Sequence, residues 1–227
     1  MTTTNLPRRS LIGIAWLAIV LAAMIFAPAW SVAYWQGWTF WAVFVACCLA
    51  TTLYLLRRDP ALVERRMRSG PTAERQSSQR WIMTVNGILF CAIVILPALD
   101  HRFGWSSLPL FVVLAGDGLI VLGFALILRV FAENSFASAT IEVSADQKVV
   151  STGPYAFVRH PMYASALPLI AGIPLALGSY WGLVPVAFIV PALAWRLLDE
   201  ERYLVVHLAG YHDYCREVRW RLAPGLW

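Results

Sequence analysis

The chain has 227 residues, of which 59% are hydrophobic and 14% charged, with a net charge of +5 and a mean hydropathy of +0.64. Soluble domains carry about one-quarter charged residues, so this composition excludes an ordinary water-soluble globule and points to a membrane. The four cysteines do not pair by spacing: Cys47 and Cys48 are adjacent, Cys91 falls in another apolar tract and Cys215 lies near the end. Neither disulfides nor a zinc or other metal site is expected.

Apolar tracts at 11–29, 40–56, 81–99 and 108–128 each approach the ~20 residues that a helix needs to cross a bilayer. Arg8 and Arg9 precede the first, but its apolar run is long for a signal peptide and Pro28-Ala29-Trp30 is a poor cleavage site, so it is expected as a retained span. Trp30, Tyr34, Trp35 and Trp38 gather where the first two spans meet an interface, the ordinary place for amphipathic rings. Arg57, Arg58, Arg65, Arg66, Arg68, Arg75 and Arg80 then crowd the loop 57–80 against three acids. By the positive-inside rule this loop and the amino terminus face the cytoplasm, and the chain returns there at Arg129. The basic loop reads as a topology signal touching anionic lipid, not as a nucleic-acid site. Asp117, between Gly116 and Gly118 in the fourth span, is either functional or a packing residue in a close helix contact.

Residues 162–195 carry no charge and are long enough to cross twice. Pro168, Pro174, Pro185 and Pro191, with a turn at Gly178-Ser179-Tyr180, predict two short kinked helices in a hairpin beside a protein-enclosed pocket. From Leu197 a helix is expected to continue into the cytoplasm through Glu200, Glu201 and Leu204 and to stop near Gly210, before a structured tail. The expected fold is all-α: a polytopic membrane helix bundle of four spans, a Pro-rich hairpin and a cytoplasmic carboxyl-terminal helix. Residues 1–133 form the scaffold and 134–227 the cofactor-binding and catalytic region.

Three polar clusters flank the hairpin, at 134–150, 153–163 and 196–201. Gly153-Pro154-Tyr155 is a tight turn, and Pro161 suits the first turn of the next helix, where backbone amides can meet an anion. Arg196 and Glu200 are spaced i to i+4 and share a helix face, with Glu201 turned about 100° away. As a surface ion pair they would contribute only ~0.3–0.5 kcal/mol.

The ordered set Asn134, Gln147-Lys148-Val149-Val150-Ser151-Thr152-Gly153-Pro154-Tyr155, Arg159-His160-Pro161-Met162-Tyr163, Arg196 and Glu200-Glu201 resembles the isoprenylcysteine carboxyl methyltransferase and phospholipid methyltransferase family. The resemblance implies a membrane bundle whose carboxyl-terminal half binds S-adenosylmethionine on the cytoplasmic side while a lipophilic acceptor enters from the bilayer. It implies cofactor contacts at Thr140, Gln147, Lys148, Val149, Val150, Tyr155, His160, Pro161, Met162, Tyr163 and Glu200, with Arg196 at the acceptor. Glu200 can pair with a cationic group, Tyr155 and Tyr163 can pack on adenine or face the sulfonium, and amides around His160 can hold a carboxylate.

Arg196, Glu200 and Glu201 are the expected catalytic residues. A carboxylate acceptor, with a pKa of about 4, needs no general base, whereas an amine or thiol would draw on Glu201 or His160. The expected activity is therefore methyl transfer to an isoprenylcysteine-like carboxylate, with a phospholipid amine or small thiol as alternatives. Two positions depart from the family pattern: Ser165 stands where glycine is common, and Leu208-Ala209-Gly210 replaces a Phe-Gly step. The tail 214–224 also resembles the end of the NADPH-dependent membrane sterol reductases, which share the RHPxY turn and supply the enzymatic alternative. A non-catalytic protein that binds a lipid or partner is a third reading. No carboxyl-terminal CaaX cysteine makes the chain its own prenylated substrate. Expected partners are a lipophilic or lipidated substrate and membrane lipids, without nucleic acid. The expected location is a bacterial inner membrane, multi-pass, with the active site facing the cytoplasm.

Overall fold

A computed structural model describes residues 5–67, 77–137, 143 and 146–227. Among the described residues eight α-helices run in order: α1 (Leu6–Ala29), α2 (Trp35–Arg58), α3 (Pro60–Met67), α4 (Ser77–Phe103), α5 (Leu110–Glu133), α6 (Pro161–Ala176), α7 (Leu183–His207) and α8 (Tyr211–Glu217). No strand occurs among the described residues. Helices α1, α2, α4 and α5 are long and apolar enough to cross a bilayer, and the chain has the build of an integral membrane protein. Each extends beyond its apolar tract into flanking polar residues, because a helix satisfies its own backbone through the interface as well as in lipid. Large apolar side chains such as Trp16, Ile88, Phe111 and Phe188 point outward, as a lipid-facing surface requires.

The interior is built by Leu21, Ile25, Phe40, Phe44, Ile93, Ile120, Ile173 and Ile189, contributed by all six long helices. The Pro-rich tract forms the expected hairpin, α6 and α7 joined by residues 177–182. Its turn is fastened to the neighbouring connection by buried Asp100, which accepts from the Ser106 amide at 2.7 Å and from the hydroxyls of Ser106 and Ser179. Tyr34 adds a second tie, donating to the Leu177 carbonyl at 2.5 Å while its ring stacks on His101 at 4.0 Å.

The two arms of the hairpin lie against different neighbours, α6 chiefly on α5 and α7 chiefly on α4. Glycines decide the first pairing. A Cβ on Gly116 would come within 2.3 Å of the Ala176 backbone nitrogen, one on Gly123 within 2.6 Å of Leu169 Cβ, and one on Gly172 within 2.7 Å of the Gly116 carbonyl oxygen. Three Cβ-free positions therefore let the α5 and α6 backbones touch, a packing mode typical of membrane helices. Gly118, two residues on, meets nothing within 4 Å.

This contrast yields a paired prediction. Gly116→Ala should lower the thermal unfolding midpoint of detergent-solubilised protein, costing about 1–3 kcal/mol through overpacking. Gly118→Ala should leave it unchanged or raise it, gaining up to ~1 kcal/mol of helix propensity. Equal midpoints for the two variants would refute the proposed close crossing.

Candidate functional site

At the end of the bundle opposite Asp100, a cavity of about 450 Å³ opens between the arms of the hairpin. Its polar part is walled by Arg66, Asn134, Gln147, Lys148, Val149, Val150, Tyr155, Arg159, Tyr163, Arg196, Glu200 and Tyr211. Its apolar part reaches between α4, α6 and α7 along Met83, Phe90, Met162, Ile170, Ile189 and Leu193. This size and this mixture of an apolar body with a few convergent polar groups suit a small-molecule site.

Local sequence explains how each wall is placed. Gly153 takes a left-handed φ of +57°, a conformation that side chains with a Cβ rarely adopt, and this lets the chain fold back on α5 beside the Glu133 carboxylate. The 3-10 turn Gly153–Ala156 follows and carries Tyr155 inward, where its hydroxyl accepts from Asn134 Nδ2 at 2.8 Å. Burial is the main reason that this hydroxyl is pushed up to about 12, so Tyr155 remains a neutral phenol. Pro161 opens α6, and two residues later Tyr163 donates to Glu200 Oε2 at 2.5 Å. Arg196, one helical turn before Glu200, is buried and donates from Nη1 to Gln79 Oε1 at 2.8 Å.

Of the residues singled out in the sequence, the cavity brings together Gln147, Lys148, Val149, Val150, Tyr155, Met162, Tyr163, Arg196 and Glu200. Thr140 lies outside the described residues. His160, Pro161 and Glu201 are not in the lining. His160 stands behind it, its Nε2 3.5 Å from the hydroxyl of the cavity residue Tyr211. The amides of Arg159 and His160, expected to be open to an anion, are instead taken by the Trp220 and Arg221 carbonyls at 2.9 and 3.0 Å. The carboxyl-terminal tail thus docks on the RHP turn. The amides that α6 itself leaves unpaired are those of its first turn, at Met162 and Tyr163. Ser165, where the family favours glycine, is buried and spends its hydroxyl on the Pro161 carbonyl at 2.7 Å.

Glu201 occupies the other face of α7, as the 100° offset from Glu200 requires. One oxygen meets Arg159 Nε at 3.0 Å and lies 3.9 Å from His160 Nε2, and the other accepts from Arg221 Nε at 2.8 Å. Burial alone would raise this carboxyl, but the nearby His160 ring, the hydrogen bond from Arg221 and the charge of Arg159 outweigh it and bring it down to about 2. It clamps α7, the RHP turn and the tail together.

Sequence reasoning missed the contribution of the first half of the chain. Arg66 lines the cavity, with its guanidinium 4.6 Å from the Phe131 ring and a hydrogen bond to the Ala137 carbonyl at 3.2 Å. From α4 come Met83, Asn86 and Phe90 on one face, and the Asn86 carbonyl oxygen is enclosed without a protein partner among the described residues. The readable signal was two amides, Gln79 and Asn86, seven residues apart and therefore on one side of an apolar helix.

Residues 111–209 match the family of phospholipid methyltransferases. This segment belongs to that family. The match points to a methyltransferase acting on lipid-related substrates, and the matched segment contains nearly all of α5, the RHP turn and the hairpin beside the cavity. No match was found among curated proteins.

The Glu201 clamp predicts a pH dependence. Its folded pKa of about 2 lies below the ordinary carboxylate value near ~4.3, so its stabilisation is complete above about pH 4.5 and is lost as pH falls towards 2. Glu201→Gln should lower stability at pH 7 and flatten the acid limb of a plot of unfolding midpoint against pH. An acid limb as steep as that of the wild type would show that this carboxylate is not held low by its partners.

Proposed function

We propose that this chain is an S-adenosylmethionine-dependent methyltransferase whose acceptor is the carboxylate of a lipophilic, isoprenylcysteine-like substrate, with its site on the cytoplasmic side. The observation that carries the reading is one cavity in which Arg196, Glu200 and Tyr163 stand together at a polar end while Ile170, Ile189, Leu193 and Phe90 continue it between the helices. An amphiphile with an anionic head and an apolar chain matches that layout.

The residues present also fit the cofactor. Glu200 offers a carboxylate for its cationic groups, held in place by the Tyr163 hydroxyl. Lys148 and the first-turn amides of α6 suit its carboxylate, and Tyr155, Val149, Val150 and Met162 provide faces for an adenine. Gln147 closes the same wall, Thr140 is assigned to it by resemblance, and His160 and Pro161 act from behind by fixing where α6 begins. When bound, the cofactor supplies an electrophilic methyl group on a sulfonium.

The protein's work is alignment in a dry site. Arg196 orients the acceptor carboxylate through a two-pronged contact, which leaves a lone pair directed at the methyl carbon. The apolar walls exclude water. No proton has to be removed, because a carboxylate is already ionised at neutral pH. Glu201 is therefore not called on as a base, and its oxygens are engaged by Arg159 and Arg221.

Titration calorimetry on detergent-purified protein should detect S-adenosylhomocysteine binding, weakened about tenfold or more by Glu200→Gln. Arg196→Ala should bind S-adenosylhomocysteine as the wild type does, yet lose methyl transfer to a farnesylcysteine analogue. Binding of NADPH in place of S-adenosylhomocysteine would overturn the assignment in favour of a reductase, and loss of cofactor affinity in Arg196→Ala would reverse the roles given to the two residues.

A further inference from the structure

The matched family segment begins at residue 111, yet one wall of the cavity is α4, which precedes it. Gln79, Met83, Asn86 and Phe90 follow one another at intervals of four, three and four residues, so they occupy a single face of that helix. Gln79 begins the series. It is fully buried, it does not line the cavity, and both ends of its amide are engaged. Its Oε1 accepts from Arg196 Nη1 at 2.8 Å, and its Nε2 donates to Asp199 Oδ2 at 2.6 Å.

Glutamine is chemically suited to this position. A single amide presents an acceptor to the guanidinium and a donor to the carboxylate, which no hydrophobic or purely acidic side chain can do. A glutamate would turn a like charge towards Asp199, and a methionine would take one hydrogen bond from the buried guanidinium and one from Asp199. The bridge also crosses from α4 to α7, so it fixes the guanidinium relative to the apolar wall along which the acceptor's chain would lie.

We propose that Gln79 is a positioning residue for the acceptor: by linking Arg196 to Asp199 it holds the guanidinium in one rotamer and so sets where the acceptor's anionic group is placed. The proposal rests on the assignment of Arg196 to the acceptor. An arginine loses considerable rotamer freedom when it is ordered, and a bridge that orders it beforehand removes that cost from acceptor binding and from alignment for transfer. Gln79 contacts neither the methyl donor nor the acceptor, and its effect passes through Arg196 alone.

The test measures kcat and KM for the acceptor in full-length, detergent-purified protein, with methyl-labelled S-adenosylmethionine. Farnesylcysteine analogues, phosphatidylethanolamine and small thiols are screened first, and the best acceptor is used. S-adenosylhomocysteine affinity is measured in parallel by calorimetry. Gln79→Met should change acceptor kcat/KM by about tenfold or more, the factor expected for losing a hydrogen bond to a charged group, while the cofactor affinity stays at the wild-type value. In an Arg196→Met background, Gln79→Met should add no further loss, because the residue through which it acts is gone.

Wild-type turnover with unchanged acceptor parameters in Gln79→Met would overturn this proposal alone, as would losses that simply add to those of Arg196→Met. If Gln79→Met fails to bind S-adenosylhomocysteine, Gln79→Leu, which likewise removes both ends of the amide, takes its place with the same expectation. Loss of cofactor binding in both variants would make Gln79 a general support of the fold and overturn the proposal. A wild-type protein that binds S-adenosylhomocysteine but methylates none of the acceptors would overturn the acceptor reading and this proposal with it.

Discussion

Where α5 and α6 cross, the absence of Cβ atoms at Gly116, Gly123 and Gly172 lets two backbones approach so closely that α6 is committed to α5 along most of its length. In lipid there is no hydrophobic force to pull helices together, so this kind of fit does the work of a soluble core. Once α6 is committed, its hairpin partner α7 cannot lie flush against it and packs on α4 instead. The Asp100 and Tyr34 ties close the far end of the hairpin, at Ser179 and Leu177. The arms can then part only at the opposite end, which is where the cavity opens.

That opening would be unstable if its rim were loose, and the rim is made of loop and tail segments that have little apolar area to bury. Two devices hold it. Tyr211, Tyr214, Leu208 and Val218 form a small separate core packed against Val149 and Tyr155, and Tyr214 donates to the Tyr155 carbonyl at 2.7 Å. Glu201 gathers Arg159 and Arg221 around one carboxylate. The two adjacent glutamates of α7 thereby divide their work by helix geometry: about 100° of rotation sends Glu200 to the cavity and Glu201 to the clamp.

Much of this was legible because the relevant residues constrain the backbone. Proline spacing and Gly178 marked the hairpin, Gly153-Pro154 the inward turn, and the i to i+4 pair Arg196 and Glu200 the face that lines the cavity. What was not legible depended on partners distant in sequence. Arg66 in a basic loop beside a span reads as a topology signal, and the same residue also walls the site. The amides of Arg159 and His160 look available for an anion until the tail, some sixty residues later, is seen to cover them. Gln79 carries a sequence signal only in its spacing from Asn86, and its bridge between Arg196 and Asp199 depends on partners far along the chain on α7.

Arg66 and Gln79 both lie before the matched segment. The segment with a recognisable ordered motif supplies the turns, the two tyrosines and Glu200, whereas α4, outside the matched segment, supplies Met83, Asn86 and Phe90 to the wall, with Gln79 buried behind it. A cofactor is the same molecule for every member of a family and fixes the groups that contact it, but lipid acceptors differ in head and chain. On the reading proposed above, an apolar wall of this kind meets an acyl or prenyl chain through shape alone and calls for no fixed polar group. On that reading, α4 adds to the acceptor side of the site a wall from outside the matched segment, joined to that segment where Gln79 meets Arg196.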